Sequence, residues 1–167
     1  MTTGSTKTAR APIETSPHAS WNFRRGNGSV RILVQLGQEH GLTIDQILQG
    51  SSLTQASLDD LKGEIEATDE LTVIANLVRL LPHVPGLGIE AGARYRLTTY
   101  GIWGYALISS PTLLSAAQTA LRYLNLTYAF THISMQTANG VTAFTLGDLE
   151  VPAEVRLSER RAWMVKL

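Results

Sequence analysis

The residues best suited to bind a small molecule lie between positions 94 and 132, where arginine, tyrosine, tryptophan and histidine are concentrated. They are Arg94, Tyr95, Arg96, Tyr100, Trp103, Tyr105, Arg122, Tyr123, Tyr128 and His132. Arginine can bind a carboxylate through two parallel hydrogen bonds, and tyrosine combines an apolar ring with a hydroxyl group. Small-molecule pockets are mostly apolar and carry a few placed polar groups. We therefore expect part of this set to line a ligand cavity, with ordinary packing of core and surface as the alternative.

Some members of this set are better candidates than others, and each type would contribute a different contact. The candidate ligand-binding residues are Arg94, Arg96, Tyr100, Trp103, Arg122, Tyr123, Tyr128 and His132. If the ligand is an acid, Arg94 or Arg96 is the first choice of partner and Arg122 the next. His132 could bind the ligand or respond to pH, or it could be a structural histidine.

No arrangement of residues typical of catalysis or metal binding is visible. The four histidines lie far apart in the sequence and lack a second ligand at the spacing of known metal sites. Cysteine is absent, which excludes disulfides, thiolate metal sites and a cysteine nucleophile. Ser109 and Ser110 are not within a GxSxG motif. We expect no enzymatic activity, no metal and no cofactor.

Length and charge limit the remaining classes of function. The 167 residues suffice for one domain, and the net charge of zero gives no basic excess for binding nucleic acid. No apolar run reaches the roughly 18 to 20 residues of a membrane span, and the first residues lack the apolar core of a signal peptide. The expected location is the cytoplasm.

Apolar spacing predicts an α+β fold with a helical N-terminal half. Helices are expected at residues 30–40 with Ser29 as N-cap, after Thr43, and at residues 68–81. Asp69 and Glu70 fall in the first turn of the third of these helices, where the helix dipole favours carboxylates, and solvent exposure is expected for both. Residues 52–60 are expected to form a connector with Leu53, Leu58 and Leu61 pointing inward, and residues 82–86 form a linker because they contain two prolines and a glycine.

The second half should contain a capped helix that packs on a small antiparallel sheet. Ser110 followed by Pro111 predicts a helix start, since proline has no N–H to leave unpaired there. Alternating residues on both sides of Asn139-Gly140 predict a β-hairpin. The ligand cavity is expected between this hairpin and the helix at residues 110–125.

Two regions flank the predicted core of the chain. Residues 1–28 contain few apolar side chains and are expected to form a mobile tail. Residues 29–167 would then form the ligand-sensing domain. The segment after Pro152 resembles a helix that the end of the chain interrupts at Leu167.

The central segment resembles the N-terminal effector domain of AraC/XylS-type bacterial transcription regulators. The similarity extends from about residue 30 to residue 157 and is closest to the arabinose-binding-like subgroup of ornithine-utilisation and VirS-type regulators. The matching residues are Tyr100-Gly101, Gly104 to Leu107, Ser109 to Leu113, Ala116, Ala117 and Leu121 to Tyr123. This family has no strict catalytic or ligand motif, so the resemblance implies a domain identity and not a site.

The resemblance implies a sensing domain that binds a small-molecule effector and forms a homodimer. DNA would be bound only through a C-terminal helix-turn-helix region that this chain lacks, so the chain would be a fragment. The alternative is a helical protein–protein interaction domain without a small ligand, which would dock a partner through the face of Leu71, Ile74 and Val78 or through the stripe that contains Leu113. Enzymatic turnover that depends on His132 would favour a third interpretation.

Overall fold

The computed structural model describes residues 13–14, 23–138 and 140–149, and its α+β architecture confirms the predicted fold class. The α-helices are α1 (Gly28–Glu39), α2 (Ile44–Leu48), α3 (Gln55–Asp59), α4 (Ala67–Leu80), α5 (Leu87–Arg94), α6 (Gly101–Ile108) and α7 (Leu113–Arg122). Two 3₁₀ helices are formed by Leu97–Tyr100 and Leu124–Leu126. The strands are β1 (Ile13–Glu14), β2 (Arg25–Gly26), β3 (Glu64–Ile65), β4 (Thr131–Ala138) and β5 (Val141–Leu149).

The core lies where α1 and α2 pack on α4. Its fully or almost fully buried apolar residues include Val30, Leu33, Leu36, Ile47, Leu71, Val73, Ile74 and Leu77. Gly37 allows this approach, because a Cβ there would lie 2.7 Å from side-chain atoms of Ile47 and Leu77. The apolar periodicity of α1 and α4 therefore predicted the core correctly.

Helices α2 and α1 show where local signals set a helix boundary in the first half and where they do not. Thr43 and Gln46 form the reciprocal capping box that begins α2, and the positive φ of Gly50 follows its end. Helix α1, however, begins before the predicted cap. Ser29 lies inside α1 and is buried, while Asn27 occupies the N-cap position and donates its side-chain N–H groups to Ser57 and Asp60 carbonyls.

Three side chains around α3 and α4 differ from the prediction. Leu58 is buried as expected, but Leu61 is 74% exposed because it lies in the turn after α3, where the Gly63 N–H bonds to the Asp60 carbonyl. Asp69 and Glu70 are buried and not solvated. Asp69 accepts hydrogen bonds from the backbone N–H and the hydroxyl of Ser52. The prediction of solvent exposure failed because the helix dipole favours a carboxylate in the first turn but does not indicate whether a loop buries it.

The predicted helix start at Ser110-Pro111 is wrong by two residues. Thr112 is the N-cap of α7 and forms a reciprocal capping box with Ser115, whereas the Ser110 hydroxyl donates to the Ala106 carbonyl at the end of α6. Thr112 prevails because its partner three residues later satisfies two backbone groups at once. Helix α7 packs on β1 and β4, which confirms a capped helix against a small antiparallel sheet.

The predicted hairpin is confirmed, and a short N-terminal strand joins it. Strands β4 and β5 pair from Ala138 opposite Val141 onward, and β1 pairs with β4 through Ile13 opposite Met135. The sheet order is β1-β4-β5, and β2 pairs separately with β3. The segment predicted as a tail thus contains two strands and the buried Arg25. The rest of that segment and the helix predicted after Pro152 lie outside the described residues.

Candidate functional site

Three of the predicted ligand-binding residues meet in one group of rings together with Tyr95. This aromatic cluster consists of Tyr95, Tyr100, Trp103 and Tyr128. Tyr100 lies at the centre, with ring centroids 5.1 Å from Trp103, 5.4 Å from Tyr128 and 6.2 Å from Tyr95. Tyr95 also packs edge-on against Tyr128 at 6.2 Å. The chain supplies these rings from the end of α5, the first 3₁₀ helix, α6 and the loop before β4.

Backbone contacts hold two of these rings in place. The Tyr128 hydroxyl lies 3.4 Å from the Thr99 carbonyl oxygen, to which it donates a hydrogen bond. Gly28 makes room for this hydroxyl, because a Cβ at that position would lie 2.7 Å from it. The indole N–H of Trp103 donates to the Ala120 carbonyl of α7. The cluster therefore joins the start of α1 to the α6–α7 region.

The rings contact one another directly, since their centroid separations fall in the range of paired aromatic side chains. The rings consequently leave no gap between them, and only an outer side of the cluster can remain open. Tyr100, Trp103 and Tyr128 are each only partly buried, so such a side exists. This arrangement differs from the expected cavity between the hairpin and the helix, because α7 packs directly on β4.

A buried polar network lies next to the cluster and was not predicted from the sequence. It consists of Arg25, Ser29, Glu70 and Tyr95. The fully buried Glu70 carboxylate accepts from an Arg25 guanidinium N–H at 3.3 Å and from the Ser29 hydroxyl, which lies 2.6 Å from the Tyr95 hydroxyl. Tyr95 belongs to both groups and therefore connects the rings to the charged pair.

Two aromatic rings enclose the guanidinium of this network. The central carbon of the Arg25 guanidinium lies 4.4 Å from the Phe23 ring centroid and 4.5 Å from that of Phe130. Cation–π attraction of this kind strengthens when the cation is removed from water. Burial lowers the pKa of Arg25, while the Glu70 carboxylate opposes that shift. The pair is thus a desolvated charge held by a carboxylate on one side and by rings on the others.

The same environment raises the pKa of three tyrosines. Burial is the largest cause for Tyr95, Tyr100 and Tyr128. The negative charge of Glu70 adds to the shift at all three hydroxyls, because it disfavours a second negative charge nearby. The hydroxyl groups of the cluster therefore remain neutral hydrogen-bonding groups at physiological pH.

An alkaline titration of the folded protein should show this shift. Absorbance of tyrosinate should reveal groups that ionise well above the ordinary value of 10.0, and Tyr95→Phe should remove one of them. A raised folded-state pKa means that stability is complete below the unfolded pKa and falls as pH rises above it. Unfolding should therefore accompany the ionisation of these tyrosines. Ionisation of every tyrosine at the ordinary value in the folded chain would contradict the prediction.

Arg94, the first choice for an acidic ligand, is already bound by carboxylates of the protein. Its guanidinium lies 2.7 and 3.0 Å from the two Glu39 carboxylate oxygens and 2.8 Å from Glu90, which joins α5 to the end of α1. These contacts raise the pKa of Arg94 and lower the pKa of Glu39. The pKa of Glu90 is lowered first by its hydrogen bond with the His40 imidazole and then by Arg94. A ligand carboxylate would have to displace both side chains, so Arg94 fits an ion-pair role between helices better.

The remaining candidates lie apart from the aromatic cluster in the described contacts. Arg96 precedes the first 3₁₀ helix, Arg122 ends α7, and Tyr123 follows it; all three side chains are exposed. Within the described residues, no hydrogen bond or ring contact connects these three to the cluster. His132 is half-buried on β4, where its Cβ would lie 3.4 Å from a Cβ added at Gly147. The assignment of these residues to a ligand site stays a prediction.

The described part of the chain lacks two further kinds of feature. No helix there is long and apolar enough to cross a membrane. The described ranges also contain no group of three or more histidine, aspartate or glutamate side chains placed to hold a metal ion.

Comparison with known proteins gives a consistent assignment. Residues 41–165 match the family model described as the arabinose-binding domain of AraC transcription regulators, N-terminal. Uncharacterized HTH-type transcriptional regulators of Mycobacterium bovis and Mycobacterium tuberculosis are each 32% identical over 128 residues, which cover 77% of this chain and 37% of each relative. The ornithine utilization regulator of Pseudomonas aeruginosa is 33% identical over 93 residues, 54% of this chain and 26% of that protein.

These relatives are transcription regulators, and the chain corresponds to only about a third of the length of the mycobacterial ones. No solved structure matches the chain at a significant level. The family model covers most of the chain, including every element from α2 to the β4–β5 hairpin. The chain therefore belongs to the family of N-terminal arabinose-binding domains of AraC-type transcription regulators.

Proposed function

We propose that this chain is the effector-sensing and dimerising domain of an AraC-type regulator, and that the effector binds on the open side of the aromatic cluster. The supporting observation is that the Tyr100 ring contacts both Trp103 and Tyr128, while each of the three residues keeps part of its surface exposed. A stacked aromatic or apolar ligand could cover these rings, and the neutral tyrosine hydroxyls could hydrogen-bond to it.

The cluster is connected to the rest of the domain in a way that suits signal transmission. Tyr100 and Trp103 belong to the first 3₁₀ helix and α6, whereas the Tyr95 hydroxyl bonds to Ser29 and the Tyr128 hydroxyl packs against Gly28, both at the start of α1. Gly101 begins α6 directly after the 3₁₀ helix and has a φ of 54° and a ψ of −126°, a backbone conformation that favours glycine. A ligand that prefers one placement of α6 relative to α1 would shift the population of the domain toward it.

The chemistry of the site limits the effector class. Rings beside a buried carboxylate suit a ligand with an apolar or planar part, and they also suit an ammonium group through cation–π attraction. The similar Pseudomonas protein is named for ornithine utilization. Amino acids and amines therefore come first in a ligand panel, followed by aromatic acids, fatty acids and sugars.

A binding experiment tests the proposal directly. A true effector at about 100 times its Kd should stabilise the chain by roughly 2.7 kcal/mol, which thermal unfolding detects easily. Tyr100→Ala should weaken binding at least about tenfold, because it removes the ring that the other three contact. Phe144→Ala is the matched control, since Phe144 is an exposed aromatic residue on β5, outside the cluster.

Two results of these experiments would contradict the proposal. The proposed site is wrong if an effector binds Tyr100→Ala as tightly as the unchanged chain. The sensing role itself is wrong if no compound in the panel changes the unfolding temperature of the unchanged chain or gives heat in calorimetry.

The second candidate function is an interaction domain without a ligand, and one observation favours it. Of the two faces considered for docking, that of Leu71 and Ile74 is buried in the core, but Leu113 is 88% exposed. We propose that dimerisation accompanies sensing and does not replace it. We further propose that the domain has no catalytic activity, that it acts in the cytoplasm, and that the regulator contacts DNA only through another region.

A further inference from the structure

Helix α6 presents a row of large apolar side chains to solvent. Ile102 is 79% exposed, Tyr105 71% and Ile108 60%, and their spacing of three residues places them along one side of the helix. Leu113 begins α7 shortly afterwards and is 88% exposed. These four residues form what we call the α6–α7 face. Soluble monomers rarely leave large contiguous apolar patches uncovered, so such a face points to a partner.

The other side of α6 is fixed inside the domain. Gly104 packs so closely on the first 3₁₀ helix that an added Cβ would lie 1.7 Å from the Leu97 carbonyl oxygen. Trp103 bonds to the Ala120 carbonyl of α7. A rotation of α6 that buried Ile102, Tyr105 and Ile108 would break both contacts. Their exposure therefore follows from the packing of the opposite side of the helix.

The charge of this region selects the kind of partner. Residues 97–121 contain no aspartate, glutamate, lysine, arginine or histidine. Nucleic acid or a charged peptide would find no complementary charge there. A second copy of the chain meets no like-charge repulsion at this face, and the chain as a whole has a formal net charge of zero. A two-fold interface requires a surface that is complementary to itself, and an uncharged apolar face satisfies that electrostatically.

We propose that the α6–α7 face is the interface of a homodimer, formed by the same face of a second copy. This inference rests on the proposed sensing and dimerising function and assigns the dimerising part of it to particular residues. Trp103 of the aromatic cluster lies on α6 beside Ile102 of the interface. An effector that moves α6 would therefore change the dimer and the cluster together.

Sedimentation of the full chain tests the interface. The unchanged chain should be dimeric at roughly 100 μM, where an interface with a Kd of about 1 μM is almost saturated. Ile102→Glu combined with Ile108→Glu should raise the dimer Kd at least about 100-fold, because two charges would be buried without partners. The matched control is Leu61→Glu, at an equally exposed leucine in the turn after α3.

The absence of cysteine gives a second, independent readout. A single Tyr105→Cys carrying a spin label should give one short, symmetric distance between the two copies, whereas a label at Leu61→Cys should give a longer one. A monomeric unchanged chain at that concentration would overturn the proposal. So would a dimer that the double glutamate variant leaves intact, as would a shorter distance from position 61.

Ligand binding separates failure of this inference from failure of the sensing role. If an effector raises the unfolding temperature but the double variant still dimerises, the interface assignment is wrong and sensing stands. If the double variant becomes monomeric and no compound binds either protein, the interface is right and the sensing role is wrong.

Discussion

Replacing Glu70 with alanine should lower the free energy of unfolding by about 3–5 kcal/mol, because it leaves a buried guanidinium without its carboxylate. Glu70 is fully buried and the Arg25 side chain is only 3% exposed, so water cannot take over the lost contact. The Ser29 hydroxyl would lose its acceptor in the same variant. Urea unfolding followed by tryptophan fluorescence measures the change.

A neighbouring exposed pair provides the control for this experiment. Glu66 lies 3.3 Å from Arg24, and both side chains are more than half exposed. Glu66→Ala should therefore cost less than about 1 kcal/mol. A loss in Glu70→Ala as small as in Glu66→Ala would show that the Arg25–Glu70 pair is accessible to water. Replacing Arg25 and Glu70 together by methionine should recover much of the loss, since no charge then remains buried.

Gly104→Ala should have an effect of similar size, for a steric reason. The new Cβ would lie 1.7 Å from the carbonyl oxygen and 2.6 Å from the carbonyl carbon of Leu97, and backbone atoms cannot rotate away as a side chain does. Overpacking of this kind costs about 1–3 kcal/mol when side chains can adjust, so we expect at least about 3 kcal/mol here. Thermal unfolding of the purified variant, or its failure to fold, would record the effect.

Gly92→Ala is the matched control and should change stability in the opposite direction. Gly92 also lies inside a helix, α5, and a Cβ there would meet nothing within 4 Å. Alanine in an open helical position stabilises by about 0.5–1 kcal/mol relative to glycine. If both variants were equally stable, the close contact between α6 and the 3₁₀ helix would be refuted.

Elements with strong local signals were predictable from the sequence. The pair Thr43 and Gln46 begins α2 by bonding to each other's backbone, and both partners are visible three residues apart. Asn139-Gly140 predicts the hairpin because the turn needs positive φ, which Gly140 has at 77°. In these places, the residues that determine the structure are close in sequence.

Helices α5 and α6 were not predicted, because glycine usually argues against a helix. Their sequences contain Gly88, Gly92, Gly101 and Gly104, so local propensity favours a loop. The structure uses Gly104 for close packing against Leu97, a tertiary contact that propensity does not report. Helix α7 was predicted to start two residues too early for a local reason, because the reciprocal cap between Thr112 and Ser115 prevails over Ser110-Pro111.

The candidate site was predictable in its local part only. Tyr100 and Trp103 are three residues apart and their rings touch, whereas Arg25 and Glu70 are separated by 45 residues. Arg25 lies in a segment whose composition is typical of a tail, and Glu70 lies where an exposed carboxylate is common. Arg94 was assigned to a ligand because arginine suits carboxylates, and the structure supplies those carboxylates from Glu39 and Glu90.

The position of α1 also bears on where such domains should be joined in chimeric regulators. The family match begins at residue 41, yet α1 ends at Glu39 and contributes Val30, Leu33 and Leu36 to the core. A chimera joined at the family boundary would lack α1 and Arg25. The hydrophobic side of α4 that packs on α1 would then be exposed to solvent. A domain exchanged between relatives should therefore include the residues from Phe23 onward, so that the sensing domain keeps its own α1.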